Sequence, residues 1–389
     1  MAAEIALYLH IPFCKVRCSY CAFNVIVGRD ILMPDFVTAL RREMRLVRAA
    51  APDPLEAQTL YFGGGTPSLL SPEQINALIE TARTDYALVP GAEITLEANP
   101  DDLTWEKLKG YRSAGVNRIS IGVQSTAAHD LDLFRRTHDA LAAERAVKLA
   151  KDAGIDSTSV DLIYGVPGQT LHTWASTLDE VLGWRPDHLS LYSLIVERGT
   201  WLGSAIRNHR IAPPDDDLAA DMYALARGRL AAAGYAQYEI ASFARPGHES
   251  RHNIHYWLNR PFLGMGPGAH GYAAGIRYST LRSVPRYIER IMQGKTDDFP
   301  RSPAFAECEP IDRRTAMIET VFLGLRLVRD GLDLAAFEQR FSVSVGDVFG
   351  ETVERLAAQG LIVLSPGRIH LAEHTYLVSN QVFSAFVTG

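Results

Sequence analysis

The chain has 389 residues, 47% hydrophobic and 22% charged, enough apolar material for a full core without disulfides and long enough for two domains. A net charge of -6 and a pI near 6.1 argue against bulk electrostatic attraction to nucleic acid. The sequence carries neither a secretory signal nor an apolar run long enough to span a bilayer, so a cytoplasmic monomer or homodimer is expected, any membrane contact being peripheral.

In chain order, apolar β-rich runs at residues 5–10, 59–62, 94–97, 118–122, 159–163 and 188–196 alternate with amphipathic helical patterns. The first helix has Pro34 near its start and Phe36, Val37, Leu40, Met44 and Val47 on one face. The second opens Ser71-Pro72-Glu73, an N-cap followed by proline at the first helical position. Further helical patterns cover 105–114, 141–153, 171–182 and 215–233. Six alternations predict parallel βαβ units with right-handed crossovers, two short of a closed barrel. The expected fold is therefore α/β, a partial (β/α)6 TIM-like barrel over residues 1–293. Residues 294–312 read as a linker. Helical patterns at 313–327, 334–341 and 345–359 then precede an extended pair, 361–364 and 368–371, around Ser365-Pro366-Gly367. This order predicts a small winged-helix-like α+β domain over 313–389. From Arg313 onward there are seven Arg, no Lys and eight acidic residues, so no basic stripe can neutralise phosphates. A lid or docking module is expected instead.

His10, Gly63-Gly64-Gly65-Thr66, Glu97-Ala98-Asn99, Gln124-Ser125 and Asp161 all fall at, or just past, the C-terminal ends of successive strands. In parallel barrels that rim binds ligands. Three of the four cysteines, Cys14, Cys18 and Cys21, lie on the loop after the first strand, while Cys308 stands alone and reads as a plain thiol. Zinc asks for four ligands, and no second cysteine pair exists. Three thiolates suit three corners of a [4Fe-4S] cube and leave one iron open. The glycine loop brings its backbone close to a ligand or makes a tight turn.

The C-x3-C-x2-C spacing after strand one is the signature of the radical S-adenosylmethionine (SAM) superfamily. More closely, the chain resembles the oxygen-independent coproporphyrinogen III oxidase family and, within it, the branch of the haem chaperone HemW. The likeness runs through Tyr8 to Cys21, Tyr61 to Ser68, Glu93 to Asp101, Gly115 to Ser125, Phe134 to His138, Val160 to Thr170, Arg251 to Trp257 and Leu263 to His270. It implies a [4Fe-4S] cluster on Cys14, Cys18 and Cys21. It also implies SAM contacts from Tyr8, Tyr20, Gly64, Gly65 and Thr66, and polar contacts to SAM or a second ligand from Glu97, Gln124, Arg136 and Asp161. Ile195 and His270 correspond to positions near the adenine or second ligand.

Two departures set this chain apart from the oxidase branch: Phe23 stands where a fourth cysteine is expected, and the covering N-terminal segment is missing. The run His252-Asn253-Ile254-His255-Tyr256-Trp257 resembles the H-N-x-x-Y-W run of the chaperone branch. The resemblance therefore implies haem as cargo, delivered to acceptor haemoproteins, respiratory ones among them. The alternative is radical oxidation of coproporphyrinogen III. His252, His255, His270 and His10 are the candidate haem ligands, against a plain reading in which they cap turns and fill core space.

Overall fold

The computed structural model describes residues 2–388. Its centre is a run of parallel strands, β1 (Ala3–Ile11), β2 (Leu55–Gly64), β3 (Glu93–Ala98), β4 (Arg118–Gln124), β5 (Ser157–Tyr164) and β6 (His188–Ser193), hydrogen-bonded in chain order. The six expected strands are all present, and the last is three residues shorter than its apolar run suggests. Side chains such as Leu7, Leu9, Leu60, Phe62, Leu96, Ile119, Ile121, Val160, Leu162 and Leu189 are fully buried, as expected of strands covered on both faces. The sheet is open, and both of its edges extend beyond the barrel. Past β6 lie β7 (Ala236–Glu239) and β8 (Ser242–Ala244), with β8 pairing antiparallel to β6.

The other edge was not apparent from the sequence. Strand β9 (Phe262–Met265) pairs in parallel with β1, Leu7 opposite Leu263. Strands β10 (His270–Ala273), β11 (Ile276–Thr280) and β12 (Phe305–Pro310) follow, antiparallel. The segment read as a linker is thus partly structural, because residues 305–310 form the outermost strand. Their composition hid this: Phe-Ala-Glu-Cys-Glu-Pro is polar, as suits a blunted edge. Cys308 lies exposed on that strand.

The helices follow their sequence signals. Met33–Ala50 carries proline at its start and buries Phe36, Val37, Leu40, Met44 and Val47. Pro72–Asp85 begins with a reciprocal capping box between Ser71 and Gln74. Trp105–Ala114 stops at Gly115, whose φ of 115° only glycine adopts without strain.

The C-terminal part contains helices Arg313–Leu325, Leu334–Phe341 and Val345–Ala358 and a hairpin of Ile362–Ser365 with Arg368–Leu371. Leu332–Asp333 adds a third strand and Ser379–Thr388 a final helix. It has its own apolar core around Val321, Leu325, Phe337, Ile369 and Phe386. It is tied to the barrel part by Arg340 donating to Asn259 O at 2.8 Å and Asn259 donating to Thr320 Oγ1 at 3.1 Å. Among the described residues no helix is long and apolar enough to cross a membrane.

Candidate functional site

Successive strand ends converge on a cavity of about 460 Å³ at the C-terminal rim of the barrel. Its wall includes Cys14, Cys18 and Cys21, Tyr20, Gly64, Gly65, Thr66, Glu97, Gln124, Arg136, Asp161 and Ile195. Of the eleven residues implied as contacts to SAM or a second ligand, nine therefore meet in one place; of the rim set, His10, Gly63 and Ser125 do not line it, and two of the eleven contacts lie elsewhere. Tyr8 lies behind the wall, its ring stacked on Tyr61 at 6.0 Å and its hydroxyl donating to His10 Nδ1 at 3.2 Å. His270 begins β10 outside the cavity and is exposed.

The cysteine loop is strapped across the barrel mouth. Its base is closed by Phe13–Cys14 pairing with Ile26–Val27. Midway, Ser19 donates to Leu133 O at 2.5 Å while its carbonyl accepts from Leu202 N. Tyr20 packs edge-on against Phe134. At its exit, Asn24 Nδ2 donates to Pro267 O at 2.7 Å and to Arg282 O at 2.9 Å, and its own carbonyl accepts from His10 Nε2 at 2.9 Å. Gly268 must be glycine here, since a Cβ would lie 2.6 Å from the Asn24 amide.

The donor set fits a [4Fe-4S] cluster. Thr66 Oγ1 donates to Cys14 Sγ at 3.5 Å and Arg136 Nη1 to Cys18 Sγ at 3.4 Å, the donors that anionic sulfur needs when buried. Burial pushes the Cys14 thiol up to about 11, which a bound cation centre would reverse. Among the described residues no three ligating groups could share a single metal ion, whereas a cube holds its cysteines further apart, on separate irons. Cys14, Cys18 and Cys21 would hold the cluster, and its open iron would bind and activate SAM.

The glycine loop, which lines the cavity, also packs against the cysteine loop. A Cβ on Gly65 would lie 2.6 Å from Phe13 O and 2.8 Å from Ile11 O, and one on Gly64 would lie 2.5 Å from the His10 ring. These glycines let the loop pack against the cysteine loop, with Gly65 N donating to Ile11 O and Thr66 N to Phe13 O. Their smallness is needed by the protein itself before any ligand arrives.

Two carboxylates sit in the same wall. Glu97 accepts from Tyr61 Oη at 2.7 Å and from Gly64 N at 3.1 Å, and burial lifts its pKa to about 7. Asp161 accepts from Ser120 Oγ at 3.2 Å, and burial lifts it to about 6. Such groups hold a proton or pair with a cationic ligand at little cost, which suits an amino or hydroxyl-rich ligand. Asn99, already among the rim residues, lines the wall as well, with Ser120 and Tyr192, which were not singled out; Tyr192 lies next to the end of β6, whereas Ser120 sits within β4 and gave no such signal.

Three of the four candidate haem histidines are engaged elsewhere. His252 is 1% exposed, with Nδ1 bonded to Thr59 Oγ1 and Nε2 to Tyr256 Oη, both at 2.7 Å. Burial drops its pKa to about 3. His255 is buried and donates Nε2–H to Pro261 O at 2.7 Å. Both ring nitrogens of His10 are bonded, to Tyr8 and Asn24. In this structure none of the three is presented to a ligand, and the plain core-filling reading describes them. His270 differs: it is exposed, and among the described residues its ring has no hydrogen-bond partner. Tyr256 and Trp257 line a second cavity of about 270 Å³ with Arg260, Phe262, Tyr272 and Arg277.

Comparison with known proteins identifies the family. Residues 8–181 match the radical SAM superfamily and residues 311–378 the HemN C-terminal domain. The heme chaperone HemW of Bacillus subtilis is 35% identical over 98% of this chain and 98% of its own. The mitochondrial radical S-adenosyl methionine domain-containing protein 1 of Bos taurus is 41% identical over 92% of this chain and 82% of its own. The structure of coproporphyrinogen III oxidase from Escherichia coli, a radical SAM enzyme, superposes with a TM-score of 0.83, 26% identity and coverage of 99% of this chain and 90% of that one. Membership of the radical SAM superfamily implies a [4Fe-4S] cluster and SAM. With such identity held from end to end, the chain belongs to the radical SAM superfamily and, within it, to the HemW family.

Proposed function

We propose that this protein is a haem chaperone that binds haem and hands it to acceptor haemoproteins, respiratory ones among them, with its cluster and SAM serving that transfer. The observation that carries the reading is its match along nearly the whole chain to relatives named heme chaperone HemW. Phe23 supports it: 66% exposed in the cavity wall, it offers an apolar ring where the oxidase pattern has a fourth thiol.

The haem surface we infer lies on the sheet extension. His270 and Tyr272 share one face of β10 because strand side chains alternate. Tyr272 pairs with Arg277 across β11 and lines the second cavity with Tyr256, Trp257 and Arg260. An unengaged imidazole for iron, aromatic faces for the macrocycle and guanidinium groups for propionates are the elements haem recognition asks for.

The test is anaerobic reconstitution followed by side-by-side assays of haem binding, haem transfer to an apo-haemoprotein, and coproporphyrinogen III turnover. Haem binding and transfer without turnover are expected. The second reading, radical oxidation of coproporphyrinogen III, draws on the likeness to the E. coli oxidase structure; robust turnover would replace the chaperone reading with it.

A further inference from the structure

Two of the three cysteine sulfurs are joined by a hydrogen-bonded arc. Arg136 Nη1 reaches Cys18 Sγ at 3.4 Å, and Arg136 Nη2 donates to Asn99 Oδ1 at 2.6 Å. Asn99 Nδ2 then donates to Thr66 Oγ1 at 3.2 Å, and Thr66 Oγ1 donates to Cys14 Sγ at 3.5 Å. Each direction follows from donor chemistry. A guanidinium only donates, so the Asn99 oxygen must face Arg136 and its NH2 must face Thr66. The Thr66 hydroxyl, accepting from that NH2, has its proton left for Cys14. Arg136 is braced from a third side by Gly122 O at 2.6 Å.

We infer that Asn99 is a positioning residue that aims hydrogen-bond donors at Cys14 and Cys18 and so raises the reduction potential of the cluster they hold. Donors on ligating sulfur stabilise the more negative, reduced cluster over the oxidised one. Asn99 touches neither sulfur and acts through Thr66 and Arg136. The inference rests on the cluster assignment to Cys14, Cys18 and Cys21 and is independent of the haem reading.

An aspartate at this position would test the directionality. Its second oxygen would accept from Thr66 and turn the hydroxyl proton away from Cys14. Thr66→Val removes the same donor directly, and Thr66→Ser keeps it.

The experiment is a potentiometric titration of the anaerobically reconstituted full-length protein, with reduced cluster read by electron paramagnetic resonance after iron and sulfide analysis. At the wild-type midpoint, Thr66→Val should lower the reduced-to-oxidised ratio about tenfold, the size of one hydrogen bond to a charged group. Asn99→Asp should lower it at least as much, and Thr66→Ser should leave it near wild type. In the double variant, Thr66→Val should add little to Asn99→Asp, because the proton is already turned away. Full additivity, or an unchanged potential in Asn99→Asp, would overturn the inference. If Asn99→Asp loads no cluster, Thr66→Val against Thr66→Ser decides: equal potentials in the two sink it. A wild-type protein without cluster iron would instead mean that the cluster assignment itself had failed, a separate outcome visible in the iron analysis.

Discussion

Tyr61 donates its hydroxyl to Glu97 at 2.7 Å while its ring lies stacked on His252, centroids 4.9 Å apart. One tyrosine thus links the carboxylate in the cavity wall to the histidine of the H-N-x-x-Y-W run, which is held in turn by Thr59 and Tyr256. The column extends from the ligand cavity to the second cavity lined by Tyr256, through the barrel interior. His252 is part of the barrel's packing, and its loss should be felt first as stability.

His252→Ala should accordingly lower stability by roughly 2–4 kcal/mol, from lost packing and two buried groups left without partners. Its Soret spectrum with haem should stay close to wild type at a temperature where the variant is folded. His270→Ala should do the reverse, shifting or weakening the Soret band with little change in melting temperature. Thermal denaturation and haem titration of both variants check this. A Soret change in His252→Ala alone would move the iron ligand into the barrel.

The Glu97 carboxyl gives a pH dependence with a definite sign. Its pKa rises from the ordinary 4.5 to about 7 on folding, through burial. Between those values the folded state holds the proton and the unfolded state does not, so stability falls as pH rises. Glu97→Gln, which keeps an acceptor for Tyr61 but never ionises, should therefore melt higher than wild type at pH 8 and much closer to it at pH 4.5. The difference should approach the few kcal/mol that such a shift represents at about 1.36 kcal/mol per pKa unit. Melting curves of ligand-free protein across that range are the measurement; a constant offset would assign Glu97 another environment.

Reconstituted wild type should carry about four irons per chain, the content of one cube. Replacing Cys14, Cys18 or Cys21 with alanine should remove that iron. Cys308→Ala should not, since that thiol is exposed on the outer edge strand. Loss of iron in the Cys308 variant would break the three-ligand assignment.

Gly65→Val should cost more than SAM affinity. Its Cβ would press on the carbonyls of Phe13 and Ile11, the backbone that begins the cysteine loop. Overpacking of this kind costs about 1–3 kcal/mol or more, and here it displaces the cluster ligands. Iron content and SAM binding should fall together. Full iron with reduced SAM affinity would instead mean that the glycine faces the ligand.

The six barrel strands and the cavity they build were legible in the sequence because each buried strand is a short apolar run ended by a polar or glycine residue. The strand extension from Phe262 to Pro310 was not. Beyond β9, which joins β1 in parallel, it runs antiparallel out to an exposed edge, and its last strand alternates acidic side chains with small ones, so that strand has no burial pattern to read. The surroundings of the histidines were hidden for a related reason. Sequence places His252 beside Tyr256 and Trp257, but only the fold reveals Thr59, 193 positions away, as the partner that occupies its ring. Gly65 was legible as a site of close approach, and the chain's own backbone at Ile11 and Phe13 is one thing that approaches it.

Strand β1 has one neighbour, β2, that follows it closely in the chain, and another, β9, that begins at Phe262. The cysteine loop that leaves β1 is fastened by Asn24 to Pro267 and Arg282. The local ties of that loop, His10 to the Asn24 carbonyl and Phe13–Cys14 to Ile26–Val27, can form at once, whereas the two side-chain bonds of Asn24 must wait until residues 243 and 258 positions further on have been made. Contacts so distant in sequence form late and slowly. A truncated product ending before β9 would keep the local ties but lack both side-chain bonds of Asn24, leaving its three thiols on a less securely held loop.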